Sequence, residues 1–199
     1  MISSMGEIMR EAYKRGWITT RDGNISVRRE NKFYITPSGV RKNLIYPENI
    51  IKMTLSEVGE LFVRENSPLG KPSGELEMHR LLQTTSDFDG CRSVVHFHPT
   101  NIIATIHAGF DLQKIAAEFP EVSRYTRVGP TVSKLPVVSV ELANETFSKM
   151  TENNQLIYDI VGQTGHGVCA IGTTPQDAFE AIERLEHVCE IVLRSGVRP

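Results

Sequence analysis

Cysteine is scarce in this chain, and the three that occur, Cys91, Cys169 and Cys189, form no Cys-x-x-Cys pair. An odd number without such spacing excludes a disulfide framework and reads as small buried hydrophobes in a reducing compartment. No charge of one sign dominates either: 22 Lys and Arg stand against 24 Asp and Glu, a formal net charge of −2. A sequence-independent nucleic-acid binder needs a concentrated basic face, so nucleic acid is not an expected partner. No uncharged apolar run approaches the roughly 18 residues of a membrane span. The opening MISSMGEIMREAYKRG also lacks the uninterrupted apolar core of an export signal. A cytoplasmic protein without a membrane partner is therefore expected. Repeats, low-complexity tracts and long linkers are missing too, and 199 residues with 40% hydrophobic content suit one domain over 1–199. There is neither a Walker A loop nor a Rossmann fingerprint, so no nucleotide is implied.

What is present is an alternation of helical and strand-like patterns. Ile2, Met5, Ile8, Met9, Ala12 and Tyr13 recur at helical spacing before Gly16. Strand-like runs follow at Asn24–Arg29 and Phe33–Thr36, closed by the turn Pro37-Ser38-Gly39, then at Ile50–Met53 and Leu61–Arg64. A helix is predicted from Ser73 to Thr85, a buried strand from Arg92 to His98, and a short helix from Thr100 to Ala108. After a looser centre, Leu135–Val140 reads as a strand, Ala143–Met150 as a helix and Gly167–Ile171 as a strand. The last helix has the strongest local grammar: Thr174 as N-cap, Pro175 at the first position, Asp177 in the first turn and Gly196 at the end. Interleaved strands and helices predict an α/β/α layered domain.

Four residues stand out chemically. His96 and His98 lie two apart on a strand, so their imidazoles share a face while Val95 and Phe97 point away. They suit a shared divalent metal, and a hydrogen-bonded pair lining a sheet serves equally well until further ligands are found. His166, between Gly165 and Gly167 just before a buried strand, is a third candidate, although alone it reads as a turn histidine. Glu75 follows Pro72-Ser73-Gly74 at a helix start, where an acidic side chain ordinarily just complements the dipole. Together, three imidazoles and a carboxylate suit zinc or another borderline divalent ion better than magnesium or calcium. Of the other histidines, His107 and His187 read as surface or packing residues, and His79 is the one placed to support the site from behind. Three small-residue loops, Asp22-Gly23-Asn24, Thr36-Pro37-Ser38-Gly39 and Pro72-Ser73-Gly74, offer hydroxyls, amides and a helix start to an anion.

The segments GNISVR (23–28), ITPSG (35–39), KPSGELEMH (71–79), VVHFHP (94–99) and TGHGVCAIG (164–172) fall in an order and spacing that resembles the class II aldolase/adducin family, over almost the whole chain. The resemblance implies a three-layer α/β/α sandwich with a central mixed, mainly antiparallel sheet. It implies zinc, or another divalent transition metal, held by His96, His98 and His166, with Glu75 as a further ligand and general base. Gly23, Asn24, Ser38, Gly39, Ser73 and Gly74 match the family's phosphate-binding loops, so the implied partner is a small sugar phosphate. The spacing of Tyr125 from Pro136 resembles that of an aldolase tyrosine reaching a neighbouring subunit's site, and a homotetramer with sites at subunit interfaces is implied with it. A packing role serves Tyr125 equally well.

The implied reaction is cleavage of a ketose phosphate to dihydroxyacetone phosphate and a small aldehyde. Dehydration of methylthioribulose 1-phosphate and 4-epimerisation of a sugar phosphate are the alternatives on the same metal site. An adducin-like module without catalysis would lack these ligands. Glu75 leans away from the epimerase, where the family typically has aspartate, whereas Ser38-Gly39-Val40-Arg41-Lys42 looks somewhat like the dehydratase. Two departures bear on the anion pocket: the family's aldolases look like Ser-Ser at Ser73-Gly74, and small residues replace Arg21-Asp22 there. The sequence ends at Pro199, where those aldolases continue into a tyrosine-bearing tail, so aldehyde preference is not carried over.

Overall fold

A computed structural model describes residues 2–56, 59–63 and 70–199. Helix α1 (Ile2–Lys14) precedes the strands β1 (Asn24–Arg29), β2 (Lys32–Ile35), β3 (Ile51–Leu55) and β4 (Leu61–Val63). Then come α2 (Leu76–Gln83), β5 (Cys91–Phe97), α3 (Thr100–His107), α4 (Leu112–Glu118), α5 (Pro120–Tyr125) and α6 (Val140–Met150). The chain closes with a hairpin of β6 (Thr151–Glu152) and β7 (Gln155–Leu156), then β8 (Ile160–Gln163), β9 (Gly167–Gly172) and α7 (Pro175–Ser195). The predicted end of β4 at Arg64 lies outside the described residues.

Seven strands form one sheet in the order β4-β3-β2-β1-β5-β9-β8. Every strand ladder in it is antiparallel. The mixed character expected of the sheet reduces, among the described residues, to two isolated parallel bridges, Val128 with Ile160 and Val132 with Gln163. Alternation along the strands divides the core between two faces. Ile25, Val27, Val95, Phe97, Val168 and Ala170 pack with α1, α3, α4 and α7. Val94, Cys169 and Ile171 turn the other way, against Met78 and Leu82 of α2 and Leu142 and Ala143 of α6. The result is the expected α/β/α layering.

Helix α7 has the predicted terminus. Thr174 Oγ1 accepts from the Asp177 amide, Asp177 Oδ2 accepts from the Thr174 amide, and Gly196 closes the other end. Its buried Glu186 does a second job, accepting from the Asn101 and Ile102 amides at 3.0 and 2.8 Å. Those are unpaired N–H groups at the start of α3, so α7 caps the helix that leaves the end of β5.

The predicted strand over Leu135–Val140 does not form. Pro136 has no amide to donate, Val138 takes a left-handed φ of +60°, and Ser139 Oγ accepts from the Leu142 amide as N-cap of α6. The valine run instead crosses the edge of a cleft described below. Strand β8 was not expected, nor were α4 and α5, which occupy the looser centre.

Candidate active site

The histidines meet because three elements end at one place on the α2 face of the sheet. In the β1–β5 register Asn24 stands opposite His96, so both project on the same side, and His98 follows one residue beyond β5. The His98 amide donates to Trp17 O at 2.8 Å, which ties down the strand end. His166 sits in the turn between β8 and β9, its amide donating to Gln163 O at 3.0 Å. Gly167 is required there: a Cβ would collide with the Phe97 carbonyl and lie 2.6 Å from His98 Cδ2, so only glycine lets the turn lie this close to the end of β5.

The three imidazole centroids are 4.7 to 4.9 Å apart. One ring nitrogen from each lies within 4.8 Å of the others, a spacing that suits a shared ion. His96 Nδ1 donates to Val168 O at 2.9 Å, which leaves the Nε2 lone pair aimed inward, 2.9 Å from His98 Nε2. Glu75 closes the cluster. Its Oε2 is 3.3 Å from His96 Nε2, and its Oε1, 3.7 Å from His166 Nε2, is buried without a hydrogen bond, as is His166 Nδ1. Inward lone pairs and an unsatisfied buried carboxylate oxygen are the donor set a borderline divalent cation completes, so the residues fit a metal. Burial, reinforced by the neighbouring imidazoles, holds His96 well below the usual histidine range and His98 below it, which keeps both neutral as ligands must be.

Two of the small-residue loops lie side by side across this cluster. Ser38 N donates to Lys71 O at 2.9 Å and Ser73 N to Thr36 O at 3.1 Å, so Thr36–Gly39 and Lys71–Gly74 run antiparallel. With Gly23 and Asn24 they face the histidines around a cleft of about 440 Å³. Glu75, the three histidines and the six residues matched to the phosphate-binding loops all border this cleft, whereas Tyr125 does not and His79 lies behind it. That tyrosine ends α5, exposed, with the Arg124 guanidinium 5.3 Å and the Arg184 guanidinium 6.0 Å from its ring.

Three wall residues were not foreseen. Lys42, buried, donates through Nζ to Pro37 O at 2.6 Å beneath the Ser38-Gly39 loop. Burial lowers its pKa to about 8, which still leaves the ammonium charged at neutral pH. The sequence clue was its place just past that loop. Val137 and Val138 border the opposite side, and Val138 fills the space beside Gly74, where a Cβ would fall 2.8 Å from Val138 Cγ1. A serine there, as in the aldolases of the resemblance, would collide with it.

Known proteins resemble this chain over nearly its whole length. The chain is 29% identical to an L-fuculose phosphate aldolase of Methanococcus maripaludis, covering 93% of this chain and 92% of that one. It is equally 29% identical to a methylthioribulose-1-phosphate dehydratase of Bradyrhizobium sp., over 93% of this chain and 86% of the other. The solved L-fuculose-1-phosphate aldolase of Thermus thermophilus superposes with a TM-score of 0.78 at 23% identity, covering 100% of this chain and 97% of that one, a likeness of fold. The family model of the Class II Aldolase and Adducin N-terminal domain matches residues 3–193, and this chain belongs to that family.

Proposed function

We propose that this chain is a divalent-metal aldolase that reversibly cleaves a ketose phosphate to dihydroxyacetone phosphate and a small aldehyde. The coarser statement rests on the family: class II aldolase superfamily enzymes are lyases. The observation that carries the finer one is Glu75 Oε1, a buried carboxylate oxygen without a hydrogen bond, facing the imidazole cluster in the same cleft as the paired anion loops.

His96, His98 and His166, with Glu75, are the residues that would hold zinc or another divalent transition metal. When bound, such an ion supplies Lewis acidity toward the negative charge that develops on the substrate's oxygens. The chain's own side chains do the rest. Ser38, Gly39, Ser73, Gly74, Gly23 and Asn24 seat the phosphate over the Lys42 ammonium. In cleavage the hydroxyl that becomes the aldehyde oxygen gives up its proton to solvent, and the electron pair of the breaking carbon–carbon bond stays with the ketone fragment. Glu75, in its protonated form, delivers the proton that completes dihydroxyacetone phosphate and ends as a carboxylate. In synthesis Glu75 removes that proton. Tyr125 serves the aldehyde oxygen of a neighbouring subunit in a cytoplasmic homotetramer, which accounts for its absence from the cleft of its own chain.

The competing reading is methylthioribulose-1-phosphate dehydratase, favoured by a relative of equal identity. Release of dihydroxyacetone phosphate from a panel of ketose 1-phosphates, with zinc and with chelator, separates the two. Chelator-sensitive release establishes the aldolase. Loss of water without two carbon fragments assigns the dehydratase instead.

A further inference from the structure

Behind the cleft, helix α2 and strand β1 interlock through polar side chains in an otherwise apolar layer. Glu75, His79 and Gln83 recur every four residues along one stripe of the helix, an advance of about 6 Å each. Asn24 and Ser26 recur every second residue along the strand, an advance of about 6.6 Å. The two repeats nearly match, so the side chains alternate: Gln83 Nε2 meets Ser26 Oγ at 2.7 Å, and Ser26 Oγ meets His79 Nδ1 at 2.7 Å. Next, His79 Nε2 meets Asn24 Oδ1, and Asn24 Nδ2 meets Glu75 Oε2 at 2.8 Å. All five residues are buried.

Counting donors gives this chain a single direction. A carboxylate only accepts, so the Asn24 atom facing Glu75 is its NH₂ and the atom facing His79 is its carbonyl oxygen. His79 Nε2 must therefore carry the proton. The ring is wholly buried, which drives its pKa down to about 3 and keeps it neutral, so Nδ1 accepts from the Ser26 hydroxyl. Ser26 in turn accepts from Gln83.

We infer that His79 is a positioning residue for Glu75: held as the Nε2–H tautomer, it fixes the Asn24 amide so that Oε2 is tethered and Oε1 is left to exchange the substrate proton. Among the described residues, the Asn24 amide is the hydrogen bond that holds one carboxylate oxygen and leaves the other bare. A flipped Asn24 would set its own carbonyl against Glu75 and lose the tether. The inference rests on Glu75 being the proton-transferring group.

Two measurements test it. In protein labelled with ¹⁵N-histidine, zinc-loaded and metal-free, long-range proton–nitrogen spectra report each ring's tautomer, with His79 assigned by its loss in His79→Gln. An Nε2–H pattern in both forms is expected. An Nδ1–H pattern overturns the inference whatever the activity. The second readout is deuterium exchange into dihydroxyacetone phosphate. His79→Leu should lower the maximal exchange rate about 10- to 100-fold, with zinc content retained and the half-saturating concentration moved less than threefold. His79→Gln keeps an N–H donor near the Nε2 position and should recover most of that loss. Equal loss in both variants, or loss that follows zinc content, makes His79 a packing residue and overturns the inference. If His79→Leu does not fold, the wild-type tautomer and the His79→Gln rate still decide. Wild-type protein with the Nε2–H tautomer and no exchange would sink the role of Glu75 itself, a failure distinct from an active protein with the other tautomer.

Discussion

The two sides of the cleft are built on opposite terms. The floor is buried and anchored: His96 is 1% exposed, Glu75 8% and His79 not at all, each held by a strand register or a hydrogen bond from a second element. The rim is exposed: Val137 is 60% accessible and Val138 59%, and Val138 holds a left-handed backbone that a β-branched side chain disfavours. A group that must hold a metal or exchange a proton gains from rigid surroundings, since small displacements cost rate steeply. A group that only bounds the substrate tolerates substitution. The floor should therefore control turnover, and the rim binding and selectivity.

The sharpest way to break that division is Glu75→Gln, which keeps the shape and removes the proton-accepting charge. Turnover should fall about 10³-fold while bound zinc, measured by metal analysis, stays at wild-type stoichiometry. Unchanged turnover would remove Glu75 from the mechanism. Next in size is the acid sensitivity of the metal-free floor. His79 titrates at about 3 when folded, and His96 and His98 are lowered too, against an ordinary value of 6.5. Unfolding therefore takes up protons below pH 6.5, so the stability these neutral rings contribute is complete above that pH and lost as pH falls. Each proton adds about 1.4 kcal/mol per pH unit to the decline. Urea midpoints between pH 7.5 and 5 should show this slope, and His79→Gln should flatten it by one proton.

A smaller effect is expected where floor meets rim. Gly74→Ala pushes a Cβ to within 2.8 Å of Val138 Cγ1 and should cost about 1–3 kcal/mol in thermal unfolding, with a raised KM. Val138→Ala in the same protein should restore most of both, because the clash involves that methyl. No recovery would place the strain elsewhere. Smallest is Tyr125→Phe, which should lower aldol turnover about tenfold or less and leave stability unchanged, since the ring is largely exposed. A rate identical to wild type would leave Tyr125 as a surface residue.

Legibility followed the range of the forces involved. Helix α7 could be read to its caps because Thr174, Pro175, Asp177 and Gly196 act within one or two turns. The His96/His98 pair was legible because a strand's period alone puts both on one face. The Leu135–Val140 run was misread, since its valines suit a strand, while Pro136 and the Ser139 cap prevent one. Strand β8 escaped because four residues broken by Gly162 carry no clear alternation, and that glycine is needed where Ile106 and Leu112 approach from α3 and α4. Of the Gln83-to-Glu75 chain only His79 and Glu75 stood out in the sequence, because the partners Asn24 and Ser26 lie more than fifty residues earlier.

By itself the sequence determined which side chains could bind a metal, where the small-residue loops occur, and how the long helix starts and stops, because those depend on residue type and local period. Only the tertiary structure decided that Thr36–Gly39 lies beside Lys71–Gly74, that Lys42 sits beneath them and that Val138 occupies the space beside Gly74. It also decided that Glu75 keeps one oxygen tethered and one bare. Those are contacts between segments remote in the chain, settled by strand register and by the packing of α2 on the sheet rather than by any local preference.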